Sequence, residues 1–292
     1  MKLHIDCVPC LCNQVLKAVR LLRPRATDTF IKQTLNRVMN FLQRDDLLAL
    51  PAPKVGQGVY RIIGEELGNP NPYAPLKKLT NEQAFQFESR ARDLIRKSND
   101  RLATALKLAI IGNSIDFAAY TSVNIDKEMQ DMAKTSIAKD ESPSLFSDLT
   151  SARRILYIGD NSGEIVFDKL FIEEMLRQYP DKKIIFAVRG GPIINDVTME
   201  DAQEVGLDQI VPIVCGSQSP GVLLEESSAE FLTAFREADL ILLKGQGNFE
   251  ALANESNLPT KGHIYFLLKA KCRVMERIFN KPVGSLIVSK FL

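Results

Sequence analysis

The chain has 292 residues, 45% hydrophobic and 25% charged, with a formal net charge of +1. This is the composition of a folded protein with enough length for a sizeable core, in one large domain or two modest ones. A near-neutral chain without runs of like charge offers no field for a nucleic-acid backbone, and no uninterrupted apolar stretch of about 18 residues calls for a membrane span.

The first residues, Met1 to Cys7, lack the apolar core of a signal peptide, so none is expected. Three of the five cysteines crowd into positions 7 to 12. That crowding argues against a disulfide framework and for a reducing, cytoplasmic setting.

From about residue 10 to residue 140 the apolar spacing is mostly helical. Apolar residues recur at three- and four-residue intervals from Gln14 to Leu22 and again from Thr29 to Leu42. Thr80 to Ile111 reads as one long helix or two in succession, with Thr80-Asn81-Glu82-Gln83 as a capping start. The Pro-rich stretch Gly68 to Pro75 reads as a non-helical structured linker.

From about residue 150 short apolar runs alternate with helical segments. Strands are expected at Arg154–Gly159, Lys183–Val188, Ile210–Val214, Leu240–Gly245, His263–Leu268 and Ser285–Val288. The third holds Pro212 and is placed near a sheet edge. Helices are expected at Glu164–Gln178 and Ser228–Glu237. Fully apolar short strands alternating with helices imply an α/β fold: a mostly parallel, Rossmann-like three-layer sheet preceded by an all-helical N-terminal region. The expected division is a helical domain, 1–145, and an α/β domain, 146–292, that binds metal and phosphate.

Such sheets bind ligands beyond the carboxyl ends of their strands. The turns there read Gly159-Asp160-Asn161-Ser162-Gly163-Glu164, Arg189-Gly190-Gly191-Pro192-Ile193-Ile194-Asn195-Asp196 and Lys244-Gly245-Gln246-Gly247-Asn248-Phe249-Glu250. Asp160, Asn161 and Asp196 offer hard oxygen ligands of the kind that suit Mg²⁺ or Mn²⁺. Lys244 and its glycine-rich turn supply charge and free amides for an anion such as phosphate. Each turn taken singly also reads as an ordinary strand-to-helix connection with a capping Asp or Ser. No nucleotide-binding glycine fingerprint is present.

These motifs resemble those of the DUF89 family, the damage-control phosphatases. The first turn, extended through Ile165-Val166-Phe167-Asp168, is similar to the family signature, and the other two turns to its second and third motifs. Gly112-Asn113-Ser114-Ile115-Asp116 is similar to its Gly-Asn-x-x-Asp element. Cys7-x-x-Cys10 resembles the stand-alone subfamily rather than forms fused to a pantothenate-kinase-like domain.

The resemblance implies a phosphatase of small phosphorylated metabolites that uses a divalent metal: Mn²⁺, Co²⁺, Ni²⁺ or Mg²⁺. It places Asp160, Asn161 and Asp196 as metal ligands and catalytic residues, and Lys244, Gly245 and Asn248 on the phosphate. Asn113 and Asp116 would face the same pocket. Either a metal-bound water or Asp160 would be the nucleophile.

Two other classes compete with this reading. One is a non-catalytic metabolite- or metal-binding protein using the same pocket. The other is a small-molecule methyltransferase, for which the turn after the first strand is a poor match.

Cys7, Cys10 and Cys12 read as reduced structural thiols, a redox pair or, with His4 as a further ligand, a metal site. Cys215 and Cys272 read as buried thiols.

Overall fold

The computed structural model describes residues 1–112 and 134–291. The expected roles of Asn113 and Asp116 lie outside the described residues. Among the described residues, no helix is long and apolar enough to cross a membrane.

The N-terminal region is helical, as expected: α1 (Cys7–Leu22), α2 (Asp28–Leu42), α3 (Ala52–Leu67), α4 (Ala74–Lys97) and α5 (Arg101–Gly112). The stripe Leu11, Val15, Ala18 and Val19 turns α1 inward. α2 opens on Thr27, whose hydroxyl accepts from the Phe30 amide at 3.2 Å. α3 does not announce itself in the sequence, because Gly56 and Gly58 weaken its helical signal. Tertiary burial of Val55, Val59 and Ile63 holds it instead.

The Thr80 capping start is corrected. α4 begins at Ala74, and Thr80 lies inside it, its hydroxyl donating to the Leu76 carbonyl at 2.7 Å. Pro75 sits in the first turn, where its missing N–H costs nothing, so the end of the Pro-rich stretch is helical. The segment through Ile111 is indeed two helices. Asp100 separates them, its carboxylate accepting from the Ala103 amide at 2.9 Å.

The sheet comprises β1 (Ile137–Asp140), β2 (Arg154–Ile158), β3 (Lys183–Val188), β4 (Ile213–Cys215), β5 (Leu240–Lys244), β6 (His263–Lys269) and β7 (Leu286–Lys290). Its order is β1-β7-β6-β5-β2-β3-β4. All pairs are parallel except β6 with β7. β4, beside Pro212, is an edge. β1, the other edge, is too short and polar to announce itself, and it puts the start of the sheet before residue 146.

The connecting helices are α6 (Ser142–Ser151), α7 (Glu164–Gln178), α8 (Met199–Glu204), α9 (Ala229–Glu237), α10 (Gly245–Leu252) and α11 (Arg273–Phe279).

Alternation along the strands builds two cores. Ile155 and Tyr157 of β2 join Leu240 and Leu242 of β5 in a core closed by α4, α5 and α7. Leu156 and Ile158 join Ile241 and Leu243 on the other face, closed by α9, α10 and α11. Each such side chain contributes about 1.5–3 kcal/mol. The chain runs outward from β2 through β3 to β4, then returns to the opposite flank of β2 as β5. That reversal opens a crevice at the carboxyl ends of β2 and β5, where two of the three turns emerge.

Candidate active site

The turns after β2 and β3 are stitched together. Asn161 and Asp196 form an isolated antiparallel bridge. The Ser162 amide donates to the Asn195 carbonyl at 2.9 Å, and the Val197 amide to the Asp160 carbonyl at 2.9 Å. This short ladder sets Asp160 and Asp196 side by side. Both are buried, with 7% and 3% exposure.

Arg189 ties them together. Its Nε donates to Asp196 Oδ1 at 2.7 Å and its Nη2 reaches Asp160 Oδ1 at 3.4 Å. Its Nη1 donates to Asn248 Oδ1 at 3.0 Å, which also accepts from the Val222 amide at 2.9 Å. Asn248 in turn donates to the Lys244 carbonyl at 2.7 Å. Asn248 is therefore a strut beneath the carboxylates, holding the guanidinium fork in place.

One guanidinium faces two buried carboxylates. Burial pushes Asp196 up to about 7; Arg189 works against that rise and the Asp160 charge adds to it.

Lys244 is placed differently from the sequence-based expectation of a phosphate ligand. It is fully buried, and Glu164 stands between it and Asn161. Its Nζ donates to Glu164 Oε1 at 2.5 Å, Asp168 Oδ1 at 2.5 Å and the Ala109 carbonyl at 2.8 Å. All three N–H bonds are committed, because α7 points two acids at the end of β5. Tyr157 Oη also donates to Asp168 Oδ1, at 2.6 Å. A single ammonium cannot neutralise both acids, and burial pushes Glu164 up to about 8.

Gly245, by contrast, lies against the site. Its φ is +77°, and a Cβ there would fall 1.9 Å from Asp160 Oδ2. The third turn thus contributes space for the Asp160 carboxylate.

A cavity of about 660 Å³ opens above these residues. Asp160, Asn161 and Asp196 form its floor, Tyr60 and Ile194 part of its wall, and Lys271 lies on its lining. Two carboxylates and one amide converge there, hard oxygen donors that fit a divalent cation of the Mg²⁺ or Mn²⁺ kind. The Asn161 amide now donates to Asp160 Oδ2 at 2.6 Å and to Glu164 Oε2 at 3.3 Å.

Cys7 and Cys10 also line this cavity, and so does Cys272. Among the described residues, no three His, Cys, Asp or Glu side chains gather as a metal site.

The sequence motifs contain Arg189, Glu164 and Asp168 but point to no role for them. A signal existed for the two acids. α7 is buried almost all round, and an acid on such a helix must have a partner.

Comparison with known proteins places this site in context. The model of the damage-control phosphatase ARMT1-like domain matches residues 3–287. A damage-control phosphatase of Pyrococcus horikoshii is 34% identical, with 98% of this chain and 97% of that protein aligned. A damage-control phosphatase of Archaeoglobus fulgidus is 31% identical, with 98% of each aligned. An uncharacterized protein of Methanocaldococcus jannaschii is 36% identical over 99% of this chain and 96% of its own length. The crystal structure of a DUF89 family protein from Pyrococcus horikoshii superposes with a TM-score of 0.90, at 32% identity and full coverage of both chains. The chain belongs to the DUF89 family, that of the damage-control phosphatase ARMT1-like domain.

Proposed function

We propose that this chain is a phosphatase that hydrolyses phosphate monoesters of small metabolites with the help of a divalent metal. The observation that carries the reading is the meeting of Asp160, Asn161 and Asp196 on one cavity floor. Two relatives named damage-control phosphatases, aligned over nearly the whole chain, support the reaction class.

Asp160, Asn161 and Asp196 would hold the cation. When bound, it would polarise the phosphoryl oxygens and offset the charge that develops there. The protein's part is orientation. Arg189 fixes one oxygen of each carboxylate, and Asn248 fixes Arg189. Lys271, on the cavity lining, is our choice for the phosphate contact in place of Lys244. Burial of the floor keeps bulk water from screening these interactions.

A phosphate-release assay over small phosphorylated metabolites, with Mn²⁺, Co²⁺, Ni²⁺ or Mg²⁺ supplied singly, tests the reading. Release with at least one of them, lost in Asp160→Ala and in Asp196→Ala while each variant stays folded, is the expected result. No release with any of the four overturns it.

A further inference from the structure

The two site turns are held from outside the sheet. Asn81, on α4, is fully buried. Its side-chain carbonyl accepts from the Gly163 amide at 2.6 Å, and its Nδ2 donates to Asp201 Oδ1 at 3.1 Å and Glu204 Oε2 at 2.7 Å. One helical turn earlier, Lys77 is 5% exposed. Its Nζ donates to Thr198 Oγ1 at 2.9 Å and pairs with Asp201 Oδ2 at 2.7 Å. Asp201 closes the arrangement by accepting from the Thr198 amide at 2.7 Å.

The attachment points are placed alike. Gly163 lies two residues past Asn161, and Thr198 two residues past Asp196. Lys77 and Asn81 are four apart and so share one face of α4. That single face grips both turns just beyond their metal-ligand candidates. The next buried positions on α4 are Ala84, Phe87 and Ala91, all apolar. An apolar pair at 77 and 81 would fill space there, but it could not fix the distance between two loops. A fully bonded buried polar network can, because each partner admits one geometry.

We infer that Asn81 and Lys77 are positioning residues of the active site. They set the spacing of the Asp160–Asn161 turn against the Asp196 turn, although neither side chain lines the cavity. The inference rests on the phosphatase reading above. It makes the helical region part of the catalytic apparatus rather than a cover for the sheet. Outer partners that orient metal ligands typically change affinity or activity by about 10–100-fold when removed.

The test uses full-length Asn81→Ala and Lys77→Met. Mn²⁺ affinity is read by calorimetry, kcat and KM on p-nitrophenyl phosphate, and amide hydrogen exchange over residues 159–164 and 196–201. The expected result is faster exchange in both segments, Mn²⁺ binding weakened by about tenfold or more, and a fall carried by kcat rather than KM. Lys77→Arg, which keeps the donor and the charge, should recover part of the loss. If Asn81→Ala does not fold, Asn81→Leu, which fills the space but removes both the acceptor for Gly163 and the donor to Asp201 and Glu204, answers the same question.

A folded variant with wild-type exchange and Mn²⁺ affinity overturns the inference. A wild-type protein that binds none of Mn²⁺, Co²⁺, Ni²⁺ and Mg²⁺ counts against the phosphatase reading instead. The exchange data still judge the clamp in that case.

Discussion

Arg189 Nε donates to Asp196 Oδ1 at 2.7 Å inside a site from which both side chains are almost wholly withdrawn from solvent. The pair faces a second carboxylate, Asp160, so the local charge is negative and incompletely neutralised. Removing one partner of a buried pair costs about 3–5 kcal/mol. Arg189→Met should therefore lower stability by about that amount, read by urea unfolding, and suppress turnover. Arg189→Lys should fall between variant and wild type, since one ammonium cannot reproduce the fork. Wild-type stability in Arg189→Met would show that the pair holds nothing together.

The same imbalance gives a pH dependence with a definite sign. Asp196 is pushed up to about 7 by burial, with the Asp160 charge adding to it and Arg189 opposing it. An unfolded Asp ionises near about 3.9. Between those values the folded chain binds more protons than the unfolded one, so stability falls as pH rises. The Asp196 contribution is complete below the unfolded value and lost by about pH 7. Metal-free protein should thus lose stability across that window in urea titrations at stepped pH. Added Mn²⁺ should reverse the loss at pH 7, because a cation that binds only the folded site stabilises it. A flat profile in the metal-free protein, or a loss at pH 7 that Mn²⁺ leaves unchanged, would contradict this electrostatic account.

Lys244 is expected to act through the fold rather than on phosphate. Its ammonium is shared by Glu164, Asp168 and the Ala109 carbonyl, three partners that fix α7 and α5 to the end of β5. Lys244→Met would leave two acids without their cation, a loss of about 3–5 kcal/mol by the same reasoning. The double variant Lys244→Met with Asp168→Asn should recover part of it, since less charge is stranded. Equal destabilisation in single and double variants would argue against a coupled cluster.

Much of this architecture is legible in the sequence, and for physical reasons. β5 is fully buried, and β2 and β3 are buried beyond their exposed first residues, Arg154 and Lys183, with Ile185 half-buried; their apolar runs are therefore unmistakable, and the turns behind them carry the polar residues that identify the site. β1 is a four-residue edge with the sequence Ile-Ala-Lys-Asp, and nothing in its pattern separates it from a loop. Thr80 looks like a cap but lies six residues inside α4, and Pro75 is the better signal for its first turn.

The site itself was half legible. Asp160, Asn161 and Asp196 converge as expected. Lys244 is deflected inward because Glu164 and Asp168, four apart on α7, face it across a gap that linear sequence does not display. Asn81 and Lys77 were invisible for the same reason: their partners lie 82 to 124 positions away.

Gly245 makes a sharper prediction about the floor of the cavity. Its φ of +77° belongs to the left-handed region that favours glycine. Its missing Cβ is also the space in which the Asp160 carboxylate sits. Gly245→Ala should therefore suffer twice, through a backbone cost of about 1–2 kcal/mol and through displacement of Asp160. The two effects separate by measurement. Thermal melting reads the first, and Mn²⁺ affinity and turnover read the second. Turnover should fall far more than the loss of stability alone would explain. Normal turnover in a mildly destabilised variant would mean that Asp160 can move without consequence.

The thiols in the cavity wall should differ in reactivity. Cys10 is exposed, whereas Cys7 is half-buried and pushed up to about 11, first by burial and then by the Glu250 carboxylate. Only the thiolate reacts with an alkylating agent. At pH 8 a thiol ionising near about 11 is thiolate to about 0.1%. Iodoacetamide at pH 8 should therefore modify Cys10 roughly tenfold faster than Cys7 or more, followed by mass spectrometry of the N-terminal peptide. Cys7 should catch up once urea exposes it or once the pH approaches 11. Equal labelling in the folded protein at pH 8 would mean that α1 does not hold Cys7 against Glu250, and the cavity wall would have to be redrawn there.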